Sequence, residues 1–142
     1  MTYQIISTFD GSTETCSLSE LSRQVKLNYI LCELSADGTL IDSCPLDHRA
    51  LVTFAVEFAD YALKHYTKKK IPEAEACITL TKQWLKNQDS VSNEELKVAA
   101  NAAVAAAYAV DVARKAAKAA GKSGEAEYVR QGQFIVEYLR AA

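Results

Sequence analysis

At 142 residues the chain is long enough for one domain that buries its own core without disulfide or metal staples. Apolar residues make up 49% and charged residues 24%, which excludes a disordered chain, and a net charge of −2 argues against nucleic acid as a partner. No apolar stretch reaches the roughly 18 residues that cross a bilayer, because Asn101, Asp111, Arg114, Lys115 and Lys118 interrupt the one long candidate.

The opening MTYQIISTFDGSTE has neither the basic start nor the continuous apolar core of a signal peptide, so the expected setting is cytoplasmic, with no membrane association. Charge is uneven along the chain. Residues 1–63 carry nine acids and three bases, and residues 64–142 carry nine acids and thirteen bases. Such an asymmetry lets two sides of a domain attract each other, or steers a charged partner. Cys16, Cys32, Cys44 and Cys77 form no C-x-x-C pair and lie away from His48 and His65 in sequence. They read as free, buried thiols, with no metal or cofactor expected.

In chain order, Tyr3, Ile5 and Phe9 fit an alternating strand. Ser17 and Glu20 match a capping box, and Leu18, Leu21, Val25, Tyr29 and Cys32 have helical spacing. Asp37-Gly38, between NYILCEL and TLIDSC, fits a hairpin turn. These signals predict a helix near 17–26 beside a short β element. Residues 1–45 then form a variable N-terminal addition to a single domain, 1–142, whose body over 46–142 is a helical bundle.

The later elements are punctuated clearly. Asp47 caps a helix over about 48–66, with Leu51, Phe54, Ala55, Phe58 and Ala62 on its buried face and Thr53, Glu57, Asp60 and Lys64 on its wet strip. Pro72 opens a second helix that ends near Asn87, with Ala74, Cys77, Ile78, Thr81, Trp84 and Leu85 as its buried stripe. Ser92 and Glu95 cap a third, Gly121 closes it, and a last helix runs over about 124–140 with Val129, Ile135, Val136 and Leu139 inward.

Within the third helix, 13 of the 22 residues from Ala99 to Ala120 are alanine. At 100° per residue the charged positions gather on one arc and leave a nearly smooth face of methyl groups. Such a face lets neighbouring backbones approach closely. The expectation is therefore a mainly α bundle built around this helix, with a small β addition at the N-terminus. If the methyl face were exposed, it would imply a homo-oligomer.

No glycine-rich phosphate loop, G-x-S-x-G or H-E-x-x-H occurs, so no catalytic residue is assigned and no enzyme is expected. Glu57 and Asp60, one turn apart, read as solvated carboxylates, and Asp47-His48-Arg49 reads as a cap. The binding candidates are Tyr108, Asp111, Arg114, Lys115 and Lys118 on the alanine-rich helix, and the Lys68, Lys69, Lys70 run. An aromatic ring among charges on a rigid helix suits a protein partner, and clustered cations suit an anion.

Three blocks carry a family likeness: LDHRALVTFAVEFADYALKHY, IPEAEACITLTKQWLKN and VAANAAVAAAYAVDVARKAAKAA, followed by RQGQFIVEYLR. In this order they resemble the immunity-protein family with alanine-rich helices, the type-five-like group, which has members in bacteria and their phages. The likeness covers about residues 46–140. It departs from the family pattern at Lys69-Lys70-Ile71-Pro72-Glu73, where relatives have an Asp-x-Arg-Pro-Arg segment. The resemblance implies a non-enzymatic protein that neutralises a toxin or another cellular effector. A different reading of the cations makes it a phage counter-defence protein that sequesters a small anionic, nucleotide-like signal.

Overall fold

A computed structural model describes residues 2–65, 72–87, 115, 118 and 124–141. The N-terminal third is a sheet. Strands β1 (Thr2–Ser7), β2 (Thr13–Cys16), β3 (Tyr29–Leu34) and β4 (Leu40–Pro45) pair antiparallel in the order β2-β1-β3-β4, with the single-turn helix α1 (Leu21–Gln24) on the connection from β2 to β3. Helices α2 (His48–His65), α3 (Pro72–Lys86) and α4 (Gly124–Ala141) follow.

The protein is α+β, and this corrects the mainly helical bundle expected from the sequence. The alternation of Tyr3 and Ile5 places both, with Ser7, on the buried face of β1. Their ladder partners on that face are Glu33, Leu31 and Tyr29. The apolar run YILCEL forms β3, one of two inner strands, and pairing on both edges satisfies its backbone. That pairing overrides the helical spacing read over 18–32. Asn28 lies at φ 66 and Val25 is extended, so α1 stops after one turn instead of filling 17–26. The Ser17–Glu20 contact exists, with the Glu20 carboxylate accepting from the Ser17 amide at 3.3 Å and hydroxyl at 2.6 Å, but it closes a turn ahead of the helix. The Asp37-Gly38 hairpin forms as expected, with Gly38 at φ 85.

Phe9 is not on the strand. It sits in the β1–β2 turn, which Gly11 completes at φ 73.

The later helices start near their sequence signals, but the buried face expected for α2 differs: Leu51 and Ala55 are half-buried, and Val52 and Val56 are buried in addition to Phe54, Phe58 and Ala62. The Asp47 carboxylate caps α2 by accepting from the Ala50 amide at 2.8 Å. Within α2, Val52, Phe54, Val56, Phe58 and Ala62 are buried, while Thr53, Glu57 and Asp60 are half-buried. The helix is thus covered over more of its girth than a one-sided amphipathic pattern suggests. In α3, Thr81 is buried and Ile78, Trp84 and Leu85 are half-buried. In α4, Ile135, Val136 and Leu139 are buried and Val129 is half-buried.

The chain forms two compact units. One comprises residues 1–51 with 125–142, and the other residues 52–124. The first joins the sheet to the C-terminal helix. At Gly132 the backbone of α4 runs so close to residue 18 that a Cβ would stand 2.0 Å from the Leu18 carbonyl oxygen. In the second unit, the Lys82 ammonium on α3 lies 2.7 Å from the Asp60 carboxylate on α2. Apart from Lys115 and Lys118, the alanine-rich run 99–120 expected at the centre lies outside the described residues.

Candidate interaction surface

The side chains that could do chemistry are mostly committed to one another. Glu33, fully buried near the C-terminal end of β3, accepts from Arg140 Nε at 3.2 Å and Nη2 at 2.7 Å. Its ladder neighbours are Tyr3 on β1 and Asp42 on β4. Burial pushes the Tyr3 hydroxyl up, the Glu33 charge adds to this, and Arg140 partly offsets it. A buried carboxylate is tolerable only with a partner of this kind. The pair ties the last turn of α4 to the sheet.

A second buried carboxylate, Glu127 on α4, is held by Arg130 at 3.0 and 2.7 Å and by the Gln131 amide at 3.2 Å. In the other unit, burial pushes the Asp60 carboxyl up, but Lys82 and Lys64 more than offset this and hold it below the usual carboxylate range. The Glu57–Asp60 pair is therefore not a solvated strip, since Asp60 is half-buried and engaged by both lysines. His65 stacks on Tyr61, with ring centroids 4.1 Å apart.

Burial raises the thiols of Cys16, Cys32 and Cys44, with nearby carboxylates adding to the effect at Cys16 and Cys44. Thiols shifted this way stay protonated and react slowly. Among the described residues no group of three or more His, Cys, Asp or Glu side chains could hold a metal ion. No helix among them is long and apolar enough to cross a membrane.

Comparison with family models, curated proteins and solved structures gives no match. The likeness of residues 46–140 to the alanine-rich immunity proteins therefore rests on the sequence blocks alone.

Of the binding candidates, Lys115 and Lys118 are helical and exposed, one turn apart. Lys68, Lys69, Lys70, Tyr108, Asp111 and Arg114 lie outside the described residues. The polar residues that sequence reasoning missed are Glu33, Arg140 and Glu127. A lone glutamate inside YILCEL was the available signal for the first, since a charge in a strand buried on both edges demands a cation.

The exposed surface of the sheet unit is acidic. The unit contains ten acids and five bases, a net of −5, and residues 52–124 contain eight acids and eleven bases, a net of +3. With Glu33 and Glu127 buried and Asp42 half-buried, seven carboxylates remain exposed: Asp10, Glu14, Glu20, Asp37, Asp47, Glu125 and Glu137. Against them stand the exposed cations Arg23, Lys26, Arg49 and Arg140, of which Arg23 lies 4.3 Å over the Tyr128 ring and Arg140 is spent on Glu33. Large apolar side chains also reach solvent here: Phe9, Leu27, Leu40 and Ile41.

Proposed function

We propose that the chain is a non-enzymatic binding protein, an immunity-type neutraliser that covers the working surface of a basic toxin or other effector with the exposed, net acidic surface of its sheet unit. The observation that carries this reading is the division of charge. The buried carboxylates of the unit each have an arginine, so the net negative charge of the unit resides on its exposed carboxylates. Like-signed charge on one surface steers an oppositely charged partner and raises its association rate. The family likeness supports the same reading and adds its setting, the cytoplasm of a bacterium, with the gene carried by the host or a phage.

The test is retention of a protein from host lysate by the immobilised full chain, followed by titration of the purified partner at low and high salt. A basic protein that binds in stoichiometric amount, and more weakly at 500 mM than at 50 mM salt (the Debye length shortens about threefold), supports the proposal. If no protein is retained and a nucleotide raises the melting temperature instead, the anion-sequestering reading replaces it.

A further inference from the structure

We infer that Phe9 is the anchor of this interface, inserting from the β1–β2 turn into an apolar pocket of the partner whose rim is basic. The inference rests on the binding reading above and names the chemistry of the surface it requires.

Phe9 is 99% exposed, the most exposed of the large apolar side chains among the described residues. A phenylalanine can bury on the order of 150–250 Å², and aromatic residues dominate the energetics of interfaces. Nothing in the turn itself shelters the ring, yet the backbone beneath it is fixed. The Ser7 amide donates to the Ser12 carbonyl and the Gly11 amide to the Ser7 carbonyl, both at 2.9 Å. The Phe9 amide donates to the Ser7 hydroxyl at 3.2 Å, and the Ser12 amide to the Asp10 carboxylate at 2.9 Å. The Thr8 hydroxyl donates to the Asn28 carbonyl at 2.5 Å and so ties the turn to the loop before β3. A ring held out by six residues bonded in this way loses little conformational freedom on docking, which is how a single aromatic side chain becomes a strong anchor.

The flanks set the partner's chemistry. Asp10, the next residue, is held below the usual carboxylate range by the Ser12 amide and by the Ser12 and Ser7 hydroxyls, so it stays ionised. Glu14, on the strand leaving the turn, is exposed. An apolar plug beside two carboxylates, Asp10 and Glu14, with a cation at that end of the sheet, Lys26, 5.7 Å over the Tyr29 ring, fits an apolar pocket with Lys or Arg on its rim. The Thr8–Asn28 bond also brings Leu27, 45% exposed, to the same end of the sheet. Leu40 and Ile41 mark the opposite end, because Leu40 pairs with Leu34, whose β1 partner is Thr2. They serve as the internal control.

The decisive experiment is calorimetric titration of the purified captured partner into wild type, Phe9→Ala, Leu27→Ala and Leu40→Ala. The expected result is a loss of about 30-fold or more for Phe9→Ala, a smaller loss for Leu27→Ala, and a change of less than about threefold for Leu40→Ala. The Phe9→Ala protein should melt with wild type, since the ring has no fold contacts to lose. A 4-fluorophenylalanine at position 9 should show one shifted fluorine resonance on saturation with the partner. If the partner binds wild type and Phe9→Ala equally, the anchor is refuted while the binding reading stands. If wild type retains no partner, both fall together.

Discussion

The two units handle buried charge in opposite ways. In the sheet unit, Glu33 and Glu127 are taken fully out of water, and each accepts two parallel hydrogen bonds from an arginine. In the helical unit, Asp60 stays near the surface and is shared by two lysines, whose side chains are 65% and 42% exposed. The planar guanidinium fork fixes both distance and direction, whereas an ammonium on a flexible stem fixes neither. The difference teaches that the sheet unit fixes direction with its ion pairs, Glu33–Arg140 holding the last turn of α4 on the sheet and Glu127–Arg130 bracing α4 from within, while the lysines of the helical unit make a looser link between α2 and α3. Breaking the first kind strands a buried anion, and breaking the second leaves a group that water can reach.

Substitutions at the arginines should open the widest gap between the units. Arg130→Ala removes both guanidinium hydrogen bonds from the buried Glu127, and chemical denaturation should show a loss of about 3 kcal/mol. Adding Glu127→Leu to that variant should recover part of the loss, because the stranded charge is then gone. Gly132→Ala probes the same unit through shape. The Leu18 carbonyl must move to admit a Cβ, and the cost should be about 2 kcal/mol despite the better helix propensity of alanine. Lys82→Ala, in the helical unit, should cost under about 1 kcal/mol and lose even that in high salt. A value as large as that of Arg130→Ala would erase the distinction between the units.

The smallest effect comes from pH and falls on the sheet unit. Hydrogen bonds from the Ser35 and Thr39 hydroxyls and the Thr39 amide hold the Asp37 carboxyl at about 2, and Asp10 and Glu20 are also held below their usual range. Their stabilising contribution is complete above the unfolded carboxylate value near 4 and disappears as pH falls through the folded value. The buried thiols and Tyr3 are shifted upward, so their contribution is lost instead as pH rises past the ordinary thiol and phenol range. Thermal melts should therefore decline mildly at both ends, with the acid decline reduced in Asp37→Asn.

Much of the helical structure could be read from the sequence because its signals are local. Asp47 and Pro72 mark where α2 and α3 begin, and the inward residues of α4 repeat at helical spacing. The Asp37-Gly38 turn was equally legible. The sheet was undersized for a physical reason. Strand β2 is the four-residue TETC with one buried side chain, and the spacing across 18–32 serves a turn, one helical turn and a strand as well as it serves a helix. Only pairing between distant segments decides between those readings. The same holds for the Glu33–Arg140 contact, whose partners are 107 residues apart in sequence. Phe9 looked like the third residue of an alternating strand, and the turn completed by Gly11 carries it outward instead.

The account turns on α4 and the N-terminal sheet forming one cooperative body that presents the acidic surface. Native-state hydrogen exchange measures this directly. Amides of residues 131–139 in α4 should show the same opening free energy as those of residues 31–33 in β3, and Arg130→Ala should lower both by the same amount. Exchange of the α4 amides orders of magnitude faster than those of β3, with β3 unmoved by Arg130→Ala, would contradict it.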